Sequence, residues 1–336
     1  MRNLPNSMLG IAIILAMTTT ARCQQTGAEI SPQATRIDED RALEERALSL
    51  LRRAAKSEDG LVRSNALEAL VKLGDEEDLP LLREAVVSEA PLVRYAGCVA
   101  LGVARDKKSL RALERVMDAD SDPRVRLAAA FAVVRCGRLD AAQFLVDTLN
   151  DHPDEKMRSD AAYLIGELGD PKAARRLAIA AWRETEGEVT LQIEAAQAKL
   201  GDRAKREKLI QYALKGDAVT VLLALQSLAE IAEPAAEQAL AYRLTNRADY
   251  LQSQLLAARG LGEIGSDKGY ELAMKSLSYS AKDENETMQV RSNAALALGA
   301  IGKRAALAAL RNAAENERDA RTQVAACYAI CRILNK

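Results

Sequence analysis

Aromatic residues make up only 3% of the chain, with one tryptophan and two phenylalanines. That scarcity leaves little with which to stack on nucleobases or line a cofactor pocket. Neither sign of charge dominates: 47 Lys and Arg stand against 48 Asp and Glu, for a formal net charge of -1. Such a balance gives no long-range attraction to polyphosphate or to an anionic membrane surface, so nucleic acid is not an expected partner. Alternating runs rich in β-branched residues are missing as well, which removes the usual mark of a sheet. What remains is rich in Ala and Leu with abundant Glu, Lys and Arg, all helix formers, and the expected class is all-α.

The first 23 residues read MRNLPNSMLGIAIILAMTTTARC. Arg2 supplies a positive start, Met8 to Met17 an apolar run, and Thr18 to Ala21 a small-residue end. This is the pattern of a secretory signal, too short to span as a transmembrane helix. Cys23 resembles the lipidated cysteine of a bacterial lipoprotein, with Arg22 departing from the usual small residue before it. Cleavage after Ala21, without lipidation, stays open as the alternative. Residues 24–40 are polar and are expected to be a linker, and residues 41–336 are expected to carry the fold.

From there the chain repeats itself. Aligned on one position, the anchors are Arg63, Arg94, Arg126, Arg158, Thr190, Val221, Gln254, Arg291 and Gln323, and most are about 32 residues apart. A fixed period of that size predicts an α-solenoid of about nine helix hairpins, each unable to bury its apolar face alone. In every unit but the fifth the second helix, B, carries apolar or small residues three, four, seven and ten positions after the anchor, as Ala129, Ala130, Val133 and Cys136 do. That is the stripe of a half-buried helix. The register of the fifth unit, TLQIEAAQAKLG, is the least certain, because its apolar spacing is irregular.

Asp or Glu four residues before the anchor (Asp59, Asp122, Asp154, Glu186, Asp217, Asp319) suits an N-cap. Glycine after helix B (Gly74, Gly137, Gly169, Gly201, Gly265, Gly302) suits a left-handed stop. Eight positions past the anchor, Gly102, Gly166, Gly262 and Gly299 sit mid-helix. A mid-helix Gly costs about 1 kcal/mol against Ala, so its recurrence predicts a close backbone approach.

The run Asp-Pro-Arg-Val-Arg at Asp122 to Arg126, the Ala-Ala that follows, and the closing Leu-Gly of other units (Leu73-Gly74, Leu168-Gly169) resemble short HEAT-like repeats of the phycobilisome-lyase type. The resemblance implies convex A helices, concave B helices, and a ladder in which Asp59, Asp122 and Asp154 pair with Arg63, Arg94, Arg126 and Arg158. Some enzymes of this kind hold a di-iron centre with His-Glu pairs. This chain has one histidine, His152, and no such pair, so neither metal nor cofactor is expected. Cys98, Cys136, Cys327 and Cys331 fall on core positions and are expected to pack as small hydrophobes, with a disulfide as the alternative.

Five positions after the anchor the side chain leaves the core stripe and, by the same resemblance, lines the concave face. Val99, Phe131 and Tyr163 stand there in consecutive units, with Tyr95 and Leu127 one turn away and Arg135 and Glu167 as a charged rim. These seven are the candidate partner-binding residues. The competing reading is that tight curvature buries them against the next B helix. An acidic insert, Lys282 to Glu286, is expected to form a solvated loop in the eighth unit. The last helix has Ile330, Ile333 and Leu334 with no later helix to cover them, which predicts end-to-end association. The expected function is a non-catalytic protein-binding scaffold in the bacterial cell envelope or periplasm. The alternative is an enzyme or lyase accessory subunit using the concave face as a ligand pocket.

Overall fold

The computed structural model describes residues 32–246 and 248–336. The expected secretory signal and Cys23 lie outside the described residues. The chain divides into two compact units, Met1–Asp38 and Glu39–Lys336. The described part of the first is helical from Pro32, where a polar linker was expected up to residue 40. Pro32 provides a helix start that loses no hydrogen bond, and the Gln, Ala, Arg and acidic residues after it are compatible with continuation.

Among the described residues every regular element is helical. The first helices of the nine hairpins are α1 (Pro32–Ala54), α3 (Leu79–Ala85), α5 (Leu110–Ala119), α7 (Ala142–Asp151), α9 (Ala174–Arg183), α11 (Arg203–Lys215), α13 (Glu237–Thr245), α15 (Tyr270–Ser276) and α17 (Leu307–Asn316). The B helices are α2 (Gly60–Leu73), α4 (Pro91–Ala104), α6 (Pro123–Arg135), α8 (Glu155–Leu168), α10 (Gly187–Lys199), α12 (Ala218–Ile231), α14 (Leu251–Glu263), α16 (Glu284–Ile301) and α18 (Ala320–Leu334). Consecutive B helices pack on one another, whereas the outer helices rest mainly on their own B partners.

The local signals behave as elementary chemistry requires. Asp59, Asp122, Asp154, Asp217 and Asp319 each accept backbone N–H bonds at the start of a B helix. Glu186 holds the same place without a side-chain bond. Eleven residues past the anchor, all six expected glycines have positive φ. Of the three units that lack glycine there, two have Arg105 and Ala232 in the left-handed conformation, at φ 52° and 53°, and the ninth ends its helix at Leu334 without one. The acidic insert differs from expectation. Asp283 caps Asn285 and Glu286, so the insert lengthens α16 by a turn, and its carboxylates sit at the positive end of the helix dipole.

Close approach between B helices is confirmed. A Cβ at Gly102 would lie 2.9 Å from the Ala132 Cα, one at Gly299 2.9 Å from the Ala329 Cα, and one at Gly262 2.6 Å from the Ile301 nitrogen. Alanine on the facing helix completes the fit in the first two pairs, and no larger residue could keep that spacing.

The Asp–Arg ladder exists between units, but its acids are not the expected ones. The cap aspartates are occupied with helix N–H groups, and three of the five anchor arginines, though not Arg63 or Arg126, reach 26 residues ahead. Arg94 binds Asp120 through two bonds of 2.7 and 2.8 Å. Arg158 binds Glu184 at 2.8 and 3.0 Å, and Arg291 binds Glu317. Arg94 and Arg158 also donate to carbonyls of their own loop. Arg126 instead donates to the Met117 carbonyl and lies over the Phe144 ring, 5.5 Å from its centroid.

The largest departure is at the ends. Helix α18 packs against α2, so the B helices close into a ring. Ile330 and Ile333 are 1% and 3% exposed and share one core cluster with Ala47, Leu51, Leu67 and Leu70. Polar clasps span the seam from Arg304 to Asp40, from Asn335 to Glu44 and from Arg46 to Glu315. The apolar end expected to recruit a second copy is therefore covered by the chain's own beginning. Burying each such side chain contributes about 1.5–3 kcal/mol.

Two outcomes follow. In urea denaturation Gly262→Ala is expected to destabilise, and Ala232→Gly to stabilise by about 1 kcal/mol, since only the former introduces a clash and the latter removes a left-handed Cβ. Ile330→Asp should open the seam, raising the radius of gyration in small-angle X-ray scattering while far-UV circular dichroism stays helical. An unchanged radius would show that the seam does not hold the ring.

Candidate functional site

Closure turns the concave face into a lumen. Seven of the B helices, α2, α4, α8, α10, α12, α14 and α18, line a cavity of about 750 Å³. Two rows of side chains supply much of its wall, five and nine positions after the anchor, one helical turn apart. The first row brings Glu68, Val99, Tyr163, Gln226, Arg259 and Tyr328 to the cavity; the second brings Lys72, Val103, Glu167, Lys199, Glu230, Glu263 and Arg332. Tyr95 joins them from the first turn of α4.

Of the seven expected binding residues, Tyr95, Val99, Tyr163 and Glu167 meet in this lumen. Phe131 and Leu127 do not. Both are 0% exposed and pack in a core cluster with Leu145, Leu164 and Ile165. The reason is local: Gly102 has no side chain, and the Phe131 ring occupies the vacant volume, its Cε1 2.7 Å from where a Cβ would stand. Arg135 is structural as well. Its guanidinium donates to the Gly102 carbonyl at 3.2 Å and the Leu168 carbonyl at 3.3 Å. It thereby satisfies chain-end acceptors of the helices on either side, α4 and α8.

Charge in the lumen is largely paired. Lys72 binds Glu68 at 2.5 Å. Lys199 bridges Glu167 and Glu230, the latter at 3.4 Å. Arg332 holds both oxygens of Glu263, at 2.7 and 2.9 Å. Burial, then the carboxylates of Glu167 and Glu230, push the Tyr163 hydroxyl well above the usual tyrosine range. Tyr95 moves the same way, chiefly through burial. Both are therefore neutral hydrogen-bonding groups on aromatic bodies at any physiological pH.

Of the second row only Arg135 and Glu167 were expected from the sequence; Lys72, Lys199, Glu230, Glu263 and Arg332 were missed, although the alternating signs of Glu167, Lys199 and Glu230 at a fixed offset were there to find. Among the described residues no group of three or more His, Cys, Asp or Glu is placed to hold a metal. Cys98, Cys136, Cys327 and Cys331 are buried free thiols. Burial pushes three of them, Cys98, Cys327 and Cys331, up to about 12, so they remain protonated and unreactive.

The sequence profile for HEAT repeats matches residues 36–102, 50–134, 110–198 and 251–331. The chain belongs to the HEAT-repeat family. No curated protein matches it in sequence. Among solved structures it is similar to the complex of CpcE and CpcF of phycocyanin lyase from Nostoc, at 17% identity and a TM-score of 0.42, covering 83% of this chain and 98% of that one. It is also similar to human deoxyhypusine hydroxylase in complex with glycerol, at 18% identity and a TM-score of 0.38, covering 88% and 98%. A third likeness is to Kap121p, at 14% identity and a TM-score of 0.35, covering 84% of this chain and 37% of that one. These likenesses assign no activity to this HEAT-repeat ring.

Phe131→Asp is expected to unfold the ring and Phe131→Ala to destabilise it by about 3–5 kcal/mol. Tyr163→Ala, on the lumen wall, should cost less in the same denaturant titration. Equal losses would mean that Tyr163 is a core residue too.

Proposed function

We propose that this HEAT-repeat ring is a non-catalytic interaction scaffold of the bacterial cell envelope that holds an extended segment of a protein partner in its lumen. HEAT-repeat solenoids typically mediate protein–protein interaction. The observation that carries the reading here is the convergence of seven B helices on one cavity of about 750 Å³. That volume falls within the ~300–1,000 Å³ typical of sites that enclose a small ligand, so it suits a length of chain and not a folded domain.

The wall chemistry suits such an occupant. Tyr95, Tyr163 and Tyr328 offer apolar faces with a hydroxyl at the tip. The Lys199–Glu167–Glu230 bridge offers donors and acceptors close together for peptide amides. Export is supported by the basic start, apolar run and small-residue end of residues 1–23, and a lipid tether by Cys23. Membrane association then needs no span, and among the described residues no helix is long and apolar enough to make one.

The test is a photo-crosslinker placed at Tyr163 and, separately, at Trp182 on the outer helix α9, with capture from envelope extracts. Crosslinked partner at Tyr163 and none at Trp182 is the expected result, and the Tyr95→Ala/Tyr163→Ala protein should retain at most a tenth of the partner. Capture at Trp182 alone would place binding on the outer surface and sink the lumen reading.

A further inference from the structure

The charges of the lumen do not all pair equally, and the exception points to a ligand group. Four cations line the cavity: Lys72, Lys199, Arg259 and Arg332. Lys72, Lys199 and Arg332 each hydrogen-bond a lumen carboxylate. Arg259 does not. Its nearest carboxylate is Glu263, one turn on in α14, with Nε 4.0 Å from Oε1. That distance is beyond a hydrogen bond, and both Glu263 oxygens are already held by Arg332.

Two guanidiniums thus share one carboxylate. Burial works to raise the Glu263 carboxyl, but the Arg332 bonds and the fields of Arg332, Arg259 and Lys336 outweigh it and leave the group below the usual carboxylate range. Glu263 is therefore held as a carboxylate whose two oxygens both receive the Arg332 fork, while Arg259 stays at 4.0 Å, outside hydrogen-bond reach. The Arg259 side chain is only 20% exposed, so little solvent screens it. A guanidinium in that position presents a planar fork of donors that matches a carboxylate. Tyr328 lines the same cavity, its ring packed under Arg332, whose guanidinium carbon lies 5.8 Å from the ring centroid.

We infer that Arg259 is the anchor of a carboxylate subsite, and that the segment held in the lumen enters with its own C-terminal carboxylate. The inference rests on the lumen being the binding site. A chain end fits where a side-chain carboxylate fits less well, because an extended segment in a closed ring need then only be inserted and not threaded.

The experiment is selection from a library of random heptapeptides displayed with free C-termini, followed by calorimetric titration of the best binder as the free acid and as the C-terminal amide. The acid is expected to bind at least tenfold more tightly than the amide. Arg259→Gln should weaken the acid by the same factor and leave the amide unchanged, at a melting temperature close to that of the native protein, since Arg259 donates no hydrogen bond among the described residues. Equal affinity of acid and amide for the native protein, or a preference that persists in Arg259→Gln, overturns the subsite while leaving the lumen reading in place. Failure of the library to yield any binder that competes with the crosslinker at Tyr163 overturns both.

Discussion

The fold depends on how near one B helix can come to the next. Where Gly102 faces Ala132 and Gly299 faces Ala329, backbone meets backbone with no side chain between. The outer helices meet their successors less closely along most of the chain, with α11 and α13 the nearest pair. A stack that is tight on one edge and loose on the other must curve toward the tight edge, and each hairpin adds its share of rotation. Nine shares bring α18 back to α2. The ring is thus a consequence of small residues repeated at one register position, and the seam residues complete a closure that the curvature has already prepared.

Closure changes what the terminal units need. An open solenoid must cover its last apolar face with polar residues, and this chain leaves Ile330 and Ile333 bare because α1 and α2 supply the cover. The arrangement is also why the charges near the ends matter. Asp40, Glu44 and Arg46 find partners some 260 to 290 residues away, in Arg304, Asn335 and Glu315. Individually such partly exposed pairs contribute little, about 0–1 kcal/mol. Their role is to fix register across a seam whose stability comes from apolar burial.

The repeat was legible residue by residue wherever one position answers to one local demand. Asp122 caps because the first turn needs an acceptor, Gly169 stops because the chain turns left-handed, and Gly166 is small because Ala196 is close. Even the fifth unit keeps this register, with Glu186 before and Gly201 after. Its pattern was obscure because Glu194 and Gln197 fill core positions. Glu194 is accepted there only because Lys205, Lys208 and the Tyr212 hydroxyl all donate to it. What the sequence could not show were properties of sums and neighbours. Ring closure needs nine rotations added together. The fate of Phe131 was decided by a glycine on a different helix, 29 positions earlier, and not by its own place in the repeat.

That last point sharpens how the site is to be read. In an open groove a row of apolar residues would be its most informative feature, and Val99, Phe131 and Tyr163 would be the obvious row. In a closed lumen the apolar members can sink into the wall, as Phe131 does. The polar ones cannot, because a charge taken from water must keep a partner. Lumen charges therefore settle into pairs, and the pairs describe the ring's own economy. Lys199 with Glu167 and Glu230, and Arg332 with Glu263, are accounted for in this way. A lumen cation bonded to neither a carboxylate nor a carbonyl among the described residues, as Arg259 is, answers to something other than the fold.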